Sequence, residues 1–273
     1  MNCIFDLRTV LPGWILALLL SAVSVERVSA QDGWGHLSGR IVVNGNVPEP
    51  AELNLGTDDR AYCVGNDREF TDRSLLTGPD GGLQDAYVMM YFARGDDRRP
   101  TAHPSYAEAA EQAVVLNNAE CRFEPRAIML RTGQNLKFTN SDSIGHNCHV
   151  VTFRNEENIS LGAGQELELT LEEADRVPGI VKCDVHPWME ALILVRDEPY
   201  MAITGKDGSF RIENIPAGEW SFQFWHKRPG YLKTLTRDGE EITGRRGEMT
   251  LTIRDGETLE LGDLQIPVDD LVD

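Results

Sequence analysis

The chain has 273 residues, 41% hydrophobic and 26% charged, enough for one large or two ordinary domains with real cores. Its 25 Gly, 13 Pro and 7% aromatic residues show none of the bias of a collagen, a coiled coil or a disordered chain. A formal charge of −18 argues against nucleic acid as a partner and favours encounter with a cationic face.

Residues 1–30 read as an export signal: Arg8, an apolar stretch over 11–23, then Val28, Ser29 and Ala30 as a small-residue cleavage site. The apolar stretch is shorter than the ~20 residues a spanning helix needs. No membrane span is therefore expected after cleavage near Ala30, and the expected location is periplasmic or extracellular. This segment holds Asp6 and Glu26 against Arg8 and Arg27, so its removal leaves the net charge unchanged. Cys3 goes with it, leaving Cys63, Cys121, Cys148 and Cys183 in a compartment that permits disulfides.

Downstream, apolar or alternating runs bounded by Gly, Pro, Asn and Asp occur at 39–43, 86–92, 127–130, 136–139, 148–153 and 166–171, and each reads as a strand. Leu136 and Phe138, then Leu167, Leu169 and Leu171, recur every second residue, as a strand with one face on a core requires. Only 106–114 reads as a helix, of one or two turns. A second group of strands follows Pro199, at 201–204, 209–212, 220–225, 249–253 and 259–261. Trp220, Phe222 and Phe224 alternate there and share a core face. The expected fold is all-β, in two sandwiches, with the boundary near Glu198 and Pro199. Residues 31–198 are assigned to the first sandwich and 199–273 to the second.

Cys183, His186 and Met189 are spaced Cys-x2-His-x2-Met on a loop between the apolar runs 180–182 and 191–195. A thiolate, an imidazole and a thioether together suit copper, and a His2Cys set with a weak axial Met requires one more histidine. His146, after the 136–139 strand, supplies it. His149 is the competitor, because alternation puts 146, 148 and 150 on one strand face and 147, 149 and 151 on the other. The face with Cys148 and Val150 is the more apolar, which favours His146; a bulge at Gly145 would swap the faces.

These two segments, 37 residues apart between His146 and Cys183, resemble the cupredoxins, and the ligand loop is most similar to the amicyanin type. The resemblance implies a Greek-key sandwich and a blue type 1 copper held by His146, Cys183 and His186 with Met189 axial. It also implies that Asn147 ties the two ligand loops and that His186 offers a partly exposed imidazole edge as the electron exit. Residues 84–197 carry it, while 36–83 look like an enlarged edge. Residues 200–267 resemble the transthyretin-like, carboxypeptidase regulatory-like sandwich through Thr204 to Phe210 and Ile215 to Gly218. The pair resembles exported bacterial proteins called methylamine-utilisation-like or plastocyanin-like.

With Cys183 a copper thiolate, one disulfide is left among three thiols. Cys63 with Cys121 is the chosen pair, since Cys148 lies two residues from His146 and points inward. His36 and His103 read as solvated residues near turns, and Trp225 with His226 as an aromatic strand end with a hydrogen-bonded imidazole. The expected function is a single-electron carrier, without catalytic activity, whose redox partner presents a cationic docking face. A multicopper oxidase or copper nitrite reductase is disfavoured by six histidines in total, and a mononuclear copper oxidase is the remaining enzymatic reading. The third class is a binding or scaffold protein, for carbohydrate or a protein partner, in which copper is incidental.

Overall fold

A computed structural model describes residues 33–53, 55–56, 60–64 and 70–272. The export segment expected at 1–30 lies outside the described residues, among which no helix is long and apolar enough to cross a membrane. The protein is all-β, as the alternating runs predict. In chain order come β1 (Trp34–Asn44) and β2 (Tyr87–Tyr91), then the short helix α1 (Tyr106–Glu111). β3 (Val114–Ala119), β4 (Arg122–Glu124), β5 (Ala127–Arg131), β6 (Asn135–Asn140), β7 (His146–Val151), β8 (Glu156–Leu161), β9 (Glu166–Thr170), β10 (Gly179–Lys182) and β11 (Glu190–Arg196) follow. After them run β12 (Met201–Ile203), β13 (Ser209–Pro216), β14 (Gly218–His226), β15 (Gly230–Tyr231), β16 (Thr236–Arg237), β17 (Glu240–Glu241), β18 (Glu248–Ile253), β19 (Thr258–Pro267) and a terminal turn of helix, α2 (Asp269–Val272).

Strands β3 to β11 make one sandwich from the sheets β5-β11-β10-β7-β8 and β4-β3-β6-β9. Leu116, Phe123, Phe138, Cys148, Val181 and Ile193 fill it. Strand β9 is the outermost member of its sheet, and its alternation buries only part of the expected face: Leu171, just beyond it, is buried, but Leu167 is 40% exposed.

The other sandwich departs from the expected division at 198. Its sheets are β13-β1-β19-β16-β17 and β12-β2-β14-β15, with β18 also on β14. So β1 lies between β13 and β19, and β2 between β12 and β14. The run 39–43, expected as an enlarged edge of the first sandwich, and the run 86–92, expected within the part that resembles the cupredoxins, are therefore both central strands of the C-terminal sandwich. The reason is backbone pairing: the strands after residue 199 would otherwise leave two unpaired edges facing each other. A tight turn locks β1 in place. Ile41 N donates to Gly208 O at 2.9 Å, and Gly208, at φ +80°, comes so close that a Cβ there would sit 2.2 Å from the Ile41 carbonyl oxygen. Trp220, Phe222 and Phe224 do face this core, with Leu37, Ile41 and Phe210.

A third apolar layer joins the sandwiches. Tyr87 and Met89 of β2 pack with Leu192 and Leu194 of β11, flanked by Ala127 and Met201, while Val88 and Met90 face the other way. Both strands are thus buried on two faces, which is why they read as continuous apolar runs. Each such large side chain contributes about 1.5–3 kcal/mol by leaving water. The Tyr87 hydroxyl donates to Ile128 O at 3.0 Å, and Arg126 pairs with Asp85 at 2.8 Å, both side chains buried.

His226, at the end of β14, is fully buried. Its Nδ1 accepts from Arg228 N at 3.3 Å, and its Nε2 has no hydrogen-bond partner among the described residues. Burial first, then the charges of Arg126, Arg228 and Lys227, push its pKa down to about 3. An unfolded histidine titrates near 6.5, so the unfolded chain takes up a proton that the folded one refuses. The stability from this group is full above pH ~6.5 and falls toward pH ~3, by up to about 1.4 kcal/mol per unit. His226→Asn, whose Oδ1 can replace Nδ1, is expected to flatten the pH dependence of the urea midpoint between pH 7 and 5. An unchanged slope would assign that dependence to other groups.

His36 and His103 are less solvated than expected. His36 Nδ1 accepts from Asn214 N at 3.2 Å, and the His103 ring packs edge-on against Trp34, centroids 4.8 Å apart.

Candidate metal centre

The loop from Cys183 to Met189 is closed by its own backbone. Cys183 N donates to Met189 O at 3.1 Å, and Met189 N to His186 O at 2.9 Å. This short closure between β10 and β11 turns Cys183, His186 and Met189 inward, where they are 1%, 4% and 1% exposed. At 4% exposure His186 offers less surface than the partly exposed edge expected of the electron exit. Val185, 63% exposed, and Pro187 flank it at the surface instead. The His186 ring lies 4.8 Å from that of His146 and 5.3 Å from that of Trp188.

His146 opens β7 and is 3% exposed. Nitrogens of His146 and His186 and the sulfur of Cys183 all lie within 4.8 Å of one another. The two Nδ1 atoms are 3.0 Å apart, and His186 Nδ1 is 3.7 Å from the sulfur. His149 points to the other face, where its Nδ1 is 3.0 Å from Asp184 Oδ2. β7 pairs with β8 without a register shift from His146 to Val151.

Asn147 joins the two segments. Its Oδ1 accepts from Asp184 N at 2.7 Å, its N approaches Cys183 Sγ at 3.5 Å, and its Nδ2 donates to Asp184 Oδ2 at 3.1 Å. Burial alone would push the Cys183 thiol pKa up. Hydrogen bonds from His146 and from the backbone N–H groups of Asn147, His186 and Val185 outweigh it and hold the thiol below its usual range. Cys148, by contrast, is pushed up to about 12, chiefly by burial, and remains a neutral thiol near Asn118. It is a core residue, not a donor.

Asp142 is not visible in the sequence as part of the site, because Asn140 to Ser143 reads as a turn. Its Oδ2 accepts from His146 Nε2 at 2.8 Å and from Cys121 N at 2.9 Å, and its Oδ1 from Glu120 N at 2.7 Å. With Nε2 so occupied, Nδ1 of His146 is left to face the cluster. Burial would lower the pKa of His146, but the hydrogen bonds and charges of Cys183 and Asp142 raise it. The structure contains the Cys63–Cys121 disulfide. Cys121, Asp142 and His146 also cluster, but the Cys121 sulfur is spent in that bond and cannot serve as a thiolate. Trp188 Nε1 donates to Cys121 O at 3.1 Å, so the disulfide loop braces both sides of the donor cluster.

A cysteine of lowered pKa, two imidazoles and, on the same loop, a buried thioether supply a soft, sulfur-rich set of donor types that fits copper better than zinc or a hard cation.

No protein-family description matches the chain, and no curated protein matches it. Solved structures do. A Cu-containing nitrite reductase from Thermus scotoductus is 23% identical with a TM-score of 0.28, over 36% of this chain and 25% of its own. A purple cupredoxin from Nitrosopumilus maritimus is 22% identical at TM-score 0.26, over 31% of this chain and 99% of its own. A point mutant of amicyanin, in its reduced Cu(I) form, is 26% identical at TM-score 0.28, over 36% of this chain and 92% of its own. The chain spans a quarter of the nitrite reductase it matches. That match corrects one expectation: a histidine count does not exclude catalysis when an enzyme is among the structures to which this chain is similar.

Proposed function

We propose that His146, Cys183 and His186 hold one copper ion with Met189 as a weak axial donor, and that the protein, exported from the cell, passes single electrons to and from a redox partner. The support is one juxtaposition: three donor atoms within 4.8 Å of one another, brought from two separate segments and already oriented by Asp142 and Asn147. Copper held there would alternate between Cu(I) and Cu(II) and give an intense thiolate-to-copper absorption in the visible. The chain's own groups fix the ligands beforehand. Asp142 sets the His146 tautomer, the backbone N–H groups around Cys183 stabilise its thiolate, and the short backbone-closed loop restricts His186 and Met189. A partner would meet the ligand loop at Val185 and Pro187, and the net charge of −18 favours one with a cationic face. The second sandwich, in this proposal a carboxypeptidase regulatory-like domain, holds the first in place through the shared apolar layer.

The test is the visible spectrum after adding Cu(II) to reduced, metal-free protein. An intense band is expected, lost in His146→Ala and retained in His149→Ala. No band in the unaltered protein, or the reverse order of the two variants, sinks the ligand assignment.

A further inference from the structure

Beside the ligand loop lies a cleft of about 190 Å³ whose wall includes Pro187, Trp188 and Met189. Four cations line it: Arg73, Arg122, Arg126 and Lys227. In a chain with a formal charge of −18 this is a local inversion of sign. The two carboxylates that also line it, Asp72 and Glu190, already have partners. Asp72 accepts from Ser74 N at 2.8 Å and from its hydroxyl at 2.7 Å, with Arg228 at 3.4 Å, and Glu190 pairs with Lys227. Arg73 is paired with Glu124 at 2.5 Å and Arg126 with Asp85 at 2.8 Å.

Arg122 is the remainder. Among the described residues it makes no hydrogen bond and no ion pair; its guanidinium lies over Phe70, 4.3 Å from the ring centroid. Burial first, then the neighbouring charge of Arg73, hold its pKa below the usual arginine range, against the opposing pull of Glu124 and Glu120. An arginine fork whose five donors meet no acceptor among the described residues, stacked on an aromatic ring and under the charge of a second cation, is under-compensated in charge there. An oxygen pair placed between Arg122 and Arg73 would relieve their repulsion and accept a bidentate contact.

We infer that this cleft binds a small free anion bearing carboxylate or phosphate oxygens, with the Arg122 guanidinium as its principal anchor and Arg73 as the second cation. The volume admits an anion of a few heavy atoms. Because Trp188 and Met189 form part of the wall, an occupant would lie directly against the ligand loop.

The experiment is calorimetric titration of metal-free protein at low ionic strength with inorganic phosphate and, separately, with succinate. Saturable binding of at least one is expected, and the stronger of the two identifies the oxygen chemistry. Arg122→Gln should weaken it roughly tenfold or more, since a charge-assisted bidentate contact is lost. Arg122→Lys should fall between, keeping the charge but not the fork, and Arg73→Gln should weaken binding less than Arg122→Gln. Circular dichroism of each variant separates loss of binding from loss of fold. No saturation by either anion at about 10 mM, corresponding to an affinity weaker than ~3 kcal/mol, would overturn the inference, as would equal binding by folded Arg122→Gln. Using metal-free protein keeps this outcome separate from the copper assignment.

Discussion

Copper-loaded Cys183→Ser protein is expected to be colourless and still folded. The substituted side chain is nearly the same size, in a position 1% exposed, and its hydroxyl inherits partners: Asn147 Oδ1, which the thiol approaches at 3.3 Å, and Asn147 N at 3.5 Å. A buried hydroxyl with both partners present costs little. What it cannot do is ionise. The N–H groups that lower the Cys183 pKa act on a thiol starting near 8.5, whereas an alcohol lies far outside their reach. The covalent sulfur bond to copper is absent and the absorption with it, and affinity for Cu(I) should drop by orders of magnitude. Visible absorption and a urea melt of the same sample check both halves. A coloured variant would move the donor role to the other free thiol, Cys148.

The second large effect is at Asp142. Asp142→Ala strips an acceptor from His146 Nε2, Glu120 N and Cys121 N together, at a position only 8% exposed. Each orphaned buried donor costs about 1–3 kcal/mol, so a loss of about 3–5 kcal/mol is expected, a large share of a total near 5–15 kcal/mol. The site should loosen as well, since the imidazole is then free to turn. Faster removal of bound copper by a chelator, beside a lowered urea midpoint, reads that out. Asp142→Asn keeps one acceptor oxygen and should fall between. A loss under about 1 kcal/mol in the alanine variant would mean that water replaces the carboxylate.

The ligand loop was legible because its chemistry is local: Cys183, His186 and Met189 are spaced by one short turn, and residue type alone narrows the metal. His146 could be chosen over His149 from strand alternation, whereas the role of Asn147 came only from the resemblance of its segment to the cupredoxins. Asp142 was hidden because a polar run beside Gly145 signals a turn equally well whether its carboxylate faces solvent or a histidine; its place four residues before His146 was the available clue. The pairing of β1 and β2 was hidden for a different reason. A run such as Tyr87 to Met90 announces burial on two faces, but hydrophobicity carries no label of the sheet that will receive it. Arg122 was unreadable because a strand arginine has the same sequence whether or not it finds a partner among the described residues.

The position of β1 between β13 and β19 has a consequence for how the protein is made. Ile41 pairs with Leu264, so the first strand of the fold meets its parallel partner only after nearly the whole chain has emerged, roughly 10–45 s later at about 5–20 residues per second. Strands β3 to β11 need no such wait, and their sandwich, entered from β2 and left into β12, can close around its donors while both hosts of β1 are still missing. For that interval β1 and β2 are exposed, apolar and unpaired, the state in which a strand is most open to mispairing with another chain. The vulnerable stage of biogenesis thus lies at the amino-terminal strands, and holding them extended until residue 267 arrives is the natural task for a chaperone of this protein.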